Sequence, residues 1–365
     1  MSTPESEFDN ASEMRRGPTM LDVAKRAGVS PMTVSRVMNG KSIVRENTRK
    51  KVAAAAAALN YTPNQEARLL AGGKPVRVGF LYGMPNERSG SYLTDVLLGL
   101  LNQISMNNVQ LFVKKCDEGD LVIEQTQRLI DNGLDGIILP PPLGDNATII
   151  DLIVKAGIPV VVIACGQPDA RVSAIGIDDR NAAYQMTRHL IELGHQRVGF
   201  IAGHPHQSVS GPRLAGYRDA VRDLVADAAP ELVVQGMFNY RSGLDAAETL
   251  LALPERPTAI FASNDDMAAA AVAVAQRLGL DVPGDITVAG FDDTALATTI
   301  WPALTTVRQP TMEMAEAAVQ CVVRRIQALR AGEPDAAEHS TVDFTLVRRQ
   351  SDAAPRIRPP ARLIA

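Results

Sequence analysis

Residues 20–39, Met-Leu-Asp-Val-Ala-Lys-Arg-Ala-Gly-Val-Ser-Pro-Met-Thr-Val-Ser-Arg-Val-Met-Asn, read as two short helices joined by a tight turn. That geometry lets a second helix enter the major groove of DNA. Thr19 with Asp22 makes a capping box for the first helix, whose apolar side carries Val23, Ala24 and Ala27. Gly28 ends it, because glycine supplies the left-handed backbone a helix end commonly needs. Ser30 caps the second helix, and Pro31 stands in its first turn, where a missing N–H costs nothing. At helical spacing Val34, Val37 and Met38 share one side, while Pro31, Met32, Ser35 and Arg36 share the other. The outward face has no packing duty and is free to meet a partner. On these residues alone, an ordinary helical hairpin with a polar outer face remains open.

Working outward, a third helix is expected from Glu46 to Leu59, carrying Arg49, Lys50 and Lys51. Asn60-Tyr61-Thr62-Pro63-Asn64 and the segment Gln65–Gly72 follow. The chain of 365 residues has a net charge of −4, which hides an asymmetry. Residues 15–75 hold twelve Lys and Arg against only Asp22, Glu46 and Glu66, whereas residues 1–14 hold four acids and no base. A basic head on an acidic body is the electrostatic footprint of a nucleic-acid-binding module attached to something else. The length predicts two or three domains. Cys116, Cys165 and Cys321 have neither metal-site nor disulfide spacing and read as small core residues. No secretory signal pattern opens the chain, and no run of about 18 apolar residues could span a membrane. The expectation is a cytoplasmic protein with a disordered acidic leader over residues 1–17.

From Val76 onward strands and helices alternate. Strands are expected at Val76–Leu81, Gln110–Lys114, Gly136–Leu139, Pro159–Ile163 and Ala174–Ile177, then at Arg197–Ala202, Leu232–Gln235, Ala259–Ala262 and Ile286–Ala289. Helices such as Ala182–Leu193, Ser242–Leu251 and Met267–Leu278 lie between them. The alternation predicts two α/β lobes with doubly wound parallel sheets, whose ligands bind beyond the carboxyl ends of strands. Asp178-Asp179, Asn264-Asp265-Asp266 and Asp292-Asp293 stand at such ends. Helix capping is the first reading for Asp266 and Asp293, since each precedes a helical stretch. His204-Pro205-His206 has no evident third ligand and reads as a surface loop, with no metal expected. No Gly-x-Gly-x-x-Gly follows the first strand, and no nucleophile–base arrangement is legible, so neither a cofactor nor an enzyme is expected.

The ordered set Asp22-Val23-Ala24, Ala27-Gly28-Val29-Ser30, Thr33-Val34-Ser35-Arg36-Val37, Asn39, Thr48-Arg49, Leu59-Asn60-Tyr61 and Pro63-Asn64 closely resembles the lactose/galactose-repressor family of bacterial transcription regulators. The resemblance continues to about Arg349 and is weakest over Phe80–Leu101. It implies an all-α helix-turn-helix head over residues 18–62, a hinge helix and linker over 63–75, and a two-lobed periplasmic-binding-protein-like body over 76–350. The first lobe would take residues 76–177 and 310–338, the second 178–309 and 339–350, and 351–365 would form a flexible tail. Operator DNA would be met by Pro31, Met32, Thr33, Ser35, Arg36, Asn39, Asn64, Ala67 and Leu70, the last as a minor-groove wedge.

In the body the resemblance implies that Arg213, Asn264 and Asp292 hydrogen-bond the hydroxyls of a small sugar. A forked cation, an amide and a carboxylate suit that chemistry. Phe238 would lie against the ligand's apolar face, Gln309 would add a polar contact past the crossover segment Leu304–Arg308, and Tyr92 would replace a missing one. Ala164 departs from the pattern, standing where sugar-binding relatives can carry a carboxylate. The expected function is a repressor of carbohydrate genes, working as a homodimer released from a palindromic operator by its effector. Pro355, Pro359 and Pro360 interrupt the tail, which has no heptad seam for tetramer formation. A solute-binding transport protein would need an export signal where the DNA-reading head stands, and an α/β enzyme would need the catalytic constellation that is missing.

Overall fold

A computed structural model of the protein describes residues 18–38, 44–59, 61, 75–83, 91–116, 120–224 and 229–356. The chain divides into two compact units, Met1–Pro75 and Val76–Ala365. The expected leader 1–17, Asn39, the hinge residues Asn64, Ala67 and Leu70, and the tail residues 357–365 lie outside the described residues.

The first unit holds helices α1 (Met20–Ala27), α2 (Pro31–Met38) and α3 (Glu46–Ala58). The capping box forms: Thr19 N–H donates to Asp22 Oδ2 at 2.8 Å, and Asp22 N–H donates to Thr19 Oγ1 at 3.4 Å. Gly28 takes φ 65°, and its N–H reaches the Ala24 carbonyl. Ser30 caps α2 by accepting from Thr33 N–H at 3.2 Å. Val23, Val34 and Val52 are fully buried, one from each helix, with Ala24, Ala55, Ala56 and Tyr61 around them. Each buried valine contributes roughly 1.5–3 kcal/mol, so these three carry much of so small a core.

The second unit has two six-stranded sheets. The first, in the order β2 (Val109–Cys116), β1 (Val76–Gly83), β3 (Gly136–Leu139), β4 (Val160–Ile163), β5 (Ser173–Gly176) and β11 (His339–Thr341), is parallel throughout. Helices α4 (Ser91–Asn107), α5 (Asp120–Asp131) and α6 (Ala147–Lys155) belong to its lobe. The second sheet runs β7 (Val233–Gln235), β6 (Val198–Ala202), β8 (Ala259–Ala262), β9 (Thr287–Asp292), β10 (Thr305–Arg308) and β12 (Thr345–Val347), with only β12 antiparallel. Its helices are α7 (Asp179–Glu192), α8 (Ser210–Leu224), α9 (Tyr240–Leu251), α10 (Asp265–Arg277) and the short α11 (Leu296–Thr299). The chain passes between lobes three times: from β5 to α7, from β10 to α12 (Thr311–Ala331), and from β11 to β12. α12 returns to the first lobe, against α4 and strands β3 to β5.

Three sequence expectations change. Residues 339–341 were assigned to the second lobe, but β11 extends the first sheet by pairing with β5, so the boundary moves past Thr341. Leu304–Arg308 is more than a connector, because Thr305–Arg308 is strand β10. The tail reading fails for residues 351–356. Ser351 and Asp352 are buried, and Ser351 Oγ donates to the Val288 carbonyl at 2.6 Å while accepting from Thr305 N–H at 2.8 Å. Among the described residues no helix is long and apolar enough to cross a membrane.

Candidate functional site

On α2 the predicted division of faces is present. Val34 is buried, while Pro31, Met32 and Arg36 are exposed, Met32 at 65%. Thr33 and Ser35 are half-buried at the edge of that face, with the Thr33 hydroxyl 2.9 Å from Ser30 Oγ. An arginine on such a face can bind guanine bidentately, and Pro31 and Met32 offer apolar contact.

In the second unit a solvent-open cleft of about 890 Å³ lies between the lobes. Gly83, Pro140 to Pro142 and Ala164 line it at the end of β1 and just past β3 and β4. Phe238, Asn264, Asp292 and Gln309 line it at or past the ends of β7, β8, β9 and β10. Placement beyond carboxyl strand ends is where α/β sheets bind ligands. Tyr92, Arg213, Phe238, Asn264, Asp292 and Gln309 all border this one cleft. Three of its lining residues have left-handed backbones without being glycine: Ala164 (φ 50°), Phe238 (φ 56°) and Asp292 (φ 109°). Each such residue costs of order 1–3 kcal/mol, and their clustering is typical of ligand clamps.

Arg213 is buried, and its donors serve the protein first. Nε donates to Asp179 Oδ1 and Nη1 to the Ser263 carbonyl, both at 2.7 Å. Nη1 lies 3.7 Å from Asp292 Oδ1, and the guanidinium sits 3.7 Å from the Phe291 ring centroid. Asn264 is also engaged: Oδ1 caps α10 by accepting from Met267 N–H at 3.0 Å, and Nδ2 donates to the Phe238 carbonyl at 3.1 Å. It therefore holds Phe238 in its unusual conformation. Gln309 Nε2 donates to Asp292 Oδ1 at 2.6 Å, leaving Gln309 Oε1 buried without a partner among the described residues. The Tyr92 hydroxyl is likewise buried and, among the described residues, unpartnered.

The acidic clusters divide their labour. Asp178 caps α7 by accepting from Asn181 N–H at 2.9 Å, while Asp179 holds Arg213. Asp265 is buried against Thr294 and Thr306 and shapes the loop after β9. Asp266 borders the cleft and is not a cap, because Asn264 takes that position. Asp293 pairs with Arg308 and Arg349 instead of capping a helix. Burial pushes Asp292 up to about 7, against the opposing pull of Arg213. Burial alone raises Asp266 to about 6. Asp266, which borders the cleft, and Asp179, which holds Arg213, are the groups that sequence reasoning did not select. Their position at strand ends was the available signal, and capping was the competing explanation. His204 and His206 sit on a partly exposed turn, where His206 N–H donates to His204 Nδ1 at 3.1 Å.

Residues 19–64 match the family described as bacterial regulatory proteins, lacI family, and residues 187–351 match a periplasmic binding protein-like domain. The probable transcriptional repressor ExuR of Bacillus subtilis (strain 168) is 36% identical over 80% of this chain and 86% of its own. The chain belongs to the lacI family. It is therefore a DNA-binding transcriptional regulator with a helix-turn-helix head. Among solved structures, this lacI-family chain is similar to a transcriptional regulator CelR–cellobiose complex, with TM-score 0.70 and 31% identity over 92% of this chain and all of the other. The lac repressor dimer bound to operator and the anti-inducer ONPF gives TM-score 0.66 and 27% identity over 93% of this chain and all of the other.

Proposed function

We propose that the protein is a non-catalytic, ligand-responsive repressor that binds a palindromic operator as a homodimer and releases it when a small sugar occupies the cleft. The observation that carries this reading is the single cleft bordered by Arg213, Phe238, Asp292 and Gln309, in a chain whose head exposes Arg36. Arg36 is the principal base reader, with Pro31 and Met32 beside it and Thr33 and Ser35 at the rim. Asn39, Asn64 and Ala67 add contacts, and Leu70 is the minor-groove wedge. The cellobiose complex of the similar regulator supports a carbohydrate ligand. Access to chromosomal DNA places this work in the cytoplasm.

The dimer is supported by the operator-bound dimer of the similar lac repressor and by exposed apolar side chains. Leu98 and Leu101, one turn apart on α4, are 46% and 55% exposed. Trp301, whose carbonyl accepts from Gln276 Nε2 at 3.0 Å, is 77% exposed. Selection of binding sites from a random DNA pool tests the reading. It is supported by one two-fold symmetric sequence bound with a steep salt dependence, and refuted by sequence-independent binding or none.

A further inference from the structure

The cleft's polar inventory leans towards acceptors. Gln309, 5% exposed, lines the cleft, and its buried carbonyl Oε1 has no partner among the described residues while its own amide is already bound to Asp292. Asp266 presents a carboxyl that makes no hydrogen bond or ion pair with any described residue. The Tyr92 hydroxyl, which can donate or accept, is also buried and has no partner among the described residues. Arg213 is the only cation among the described lining residues, and Asp179 and Asp292 already flank it. Tyr92 apart, a ligand entering here finds acceptors waiting for donors, and negative charge without a free positive counterpart.

We propose that Asp266 is a specificity-determining residue: with Gln309 Oε1 it accepts O–H donors from an uncharged polyhydroxylated ligand and excludes ligands carrying a carboxylate or phosphate. This rests on the cleft being the effector site. Unmet acceptors are satisfied by ligand hydroxyls, each of which donates once. An anionic group near Asp266 and Asp292 would meet like charge in a partly dry site, and like-charge juxtaposition strongly disfavours a wrong partner. Phe238 adds an apolar face, its ring lying directly over Gly203, where an added Cβ would stand 2.0 Å from the ring. That packing leaves the ring fixed as a platform for the carbon face of a sugar.

The test is a calorimetric comparison on the full chain. The probes are neutral pentoses, hexoses and disaccharides, set against the corresponding hexuronic acids and hexose 6-phosphates. The wild-type protein is expected to bind an uncharged member at least tenfold more tightly than its acidic counterpart. Asp266→Asn is expected to weaken the neutral ligand about tenfold and to narrow the gap to the acid. A wild-type preference for the uronic acid or phosphate overturns the charge filter while leaving the cleft assignment standing. An uncharged ligand whose affinity is unchanged by Phe238→Ala overturns the cleft assignment itself. The wild-type comparison uses no variant, so the proposal remains testable if Asp266→Asn fails to fold.

Discussion

The Ser208 backbone N–H donates to Asp145 Oδ2 at 3.1 Å and the Ser208 hydroxyl donates to Asp145 Oδ1, so one carboxylate of the first lobe grips two groups of one residue in the second. Gly166 of the first lobe adds its N–H to Ser208 Oγ at 2.7 Å. The approach is too close for a side chain: a Cβ on Gly166 would stand 2.5 Å from the Ser208 carbonyl oxygen. Gln207 and Val209, the neighbours of Ser208, border the cleft. The contact thus couples the approach of the lobes to the shape of the ligand site.

Ser208→Ala is expected to weaken the closed arrangement, since hydrogen bonds to a charged group contribute about 1.5–3 kcal/mol. If only part of that is lost, effector affinity falls about tenfold, because closure must then be driven by the ligand. Calorimetry with the effector checks this, and unchanged affinity would remove the latch from the account.

Stability should fall as pH rises through the range where the cleft carboxyls ionise. Asp292 is raised to about 7 and Asp266 to about 6, both chiefly by burial, from an ordinary value of 3.8. Between those values the folded chain keeps protons that the unfolded chain has released, so rising pH favours unfolding. Asp266→Asn removes the part of this loss that Asp266 contributes and leaves that of Asp292. Relative to wild type it should gain roughly 1–3 kcal/mol on going from about pH 4 to about pH 7.5. Denaturant titrations of both proteins at the two pH values measure the difference. A gap independent of pH would contradict a buried, proton-holding Asp266.

The segment past the last strand should divide into a structural part and a dispensable one. Ser351 bridges β9 and β10, and Asp352 accepts from Thr305 Oγ1 at 2.7 Å and contacts His189 Nε2 at 2.6 Å. Truncation after residue 356 should leave the thermal midpoint unchanged. Truncation after residue 350 should cost roughly 3 kcal/mol or more, from several buried hydrogen bonds at about 1 kcal/mol each. Equal midpoints for both truncations would show that the buried network contributes nothing.

Arg36→Ala should cost roughly 1–3 kcal/mol of operator affinity and relax preference at one base pair per half-site. Binding to a set of single-base operator variants reads this directly. Full discrimination retained at every position would reassign base reading to another residue.

The parts of the fold legible in the sequence were those whose signal is local. β1 to β9 come from apolar runs such as Val160–Ile163, and α1 and α2 from caps a few residues long. β10, β11 and β12 were not legible as strands. Thr305-Thr306-Val307-Arg308 and His339-Ser340-Thr341 are short and polar, and neighbours distant in sequence supply their pairing. At the cleft, Asn264, Asp265 and Asp266 show the same limit. Successive helical residues point about 100° apart, so one caps, one is buried and one borders the cleft. Only the packing of α10 decides which does which. Arg213 was legible as a cleft residue, but its engagement by Asp179 and Ser263 depends on two distant elements.

The most direct test of the central claim is the anisotropy of a labelled operator bound to the full chain, titrated with the sugar that calorimetry identifies. The account predicts that the sugar releases the operator from wild-type protein. It predicts that Gln309→Ala binds the same operator with unchanged affinity yet needs at least tenfold more sugar for release. Release at the same sugar concentration from both proteins, or an operator complex indifferent to a sugar that fills the cleft, would contradict it.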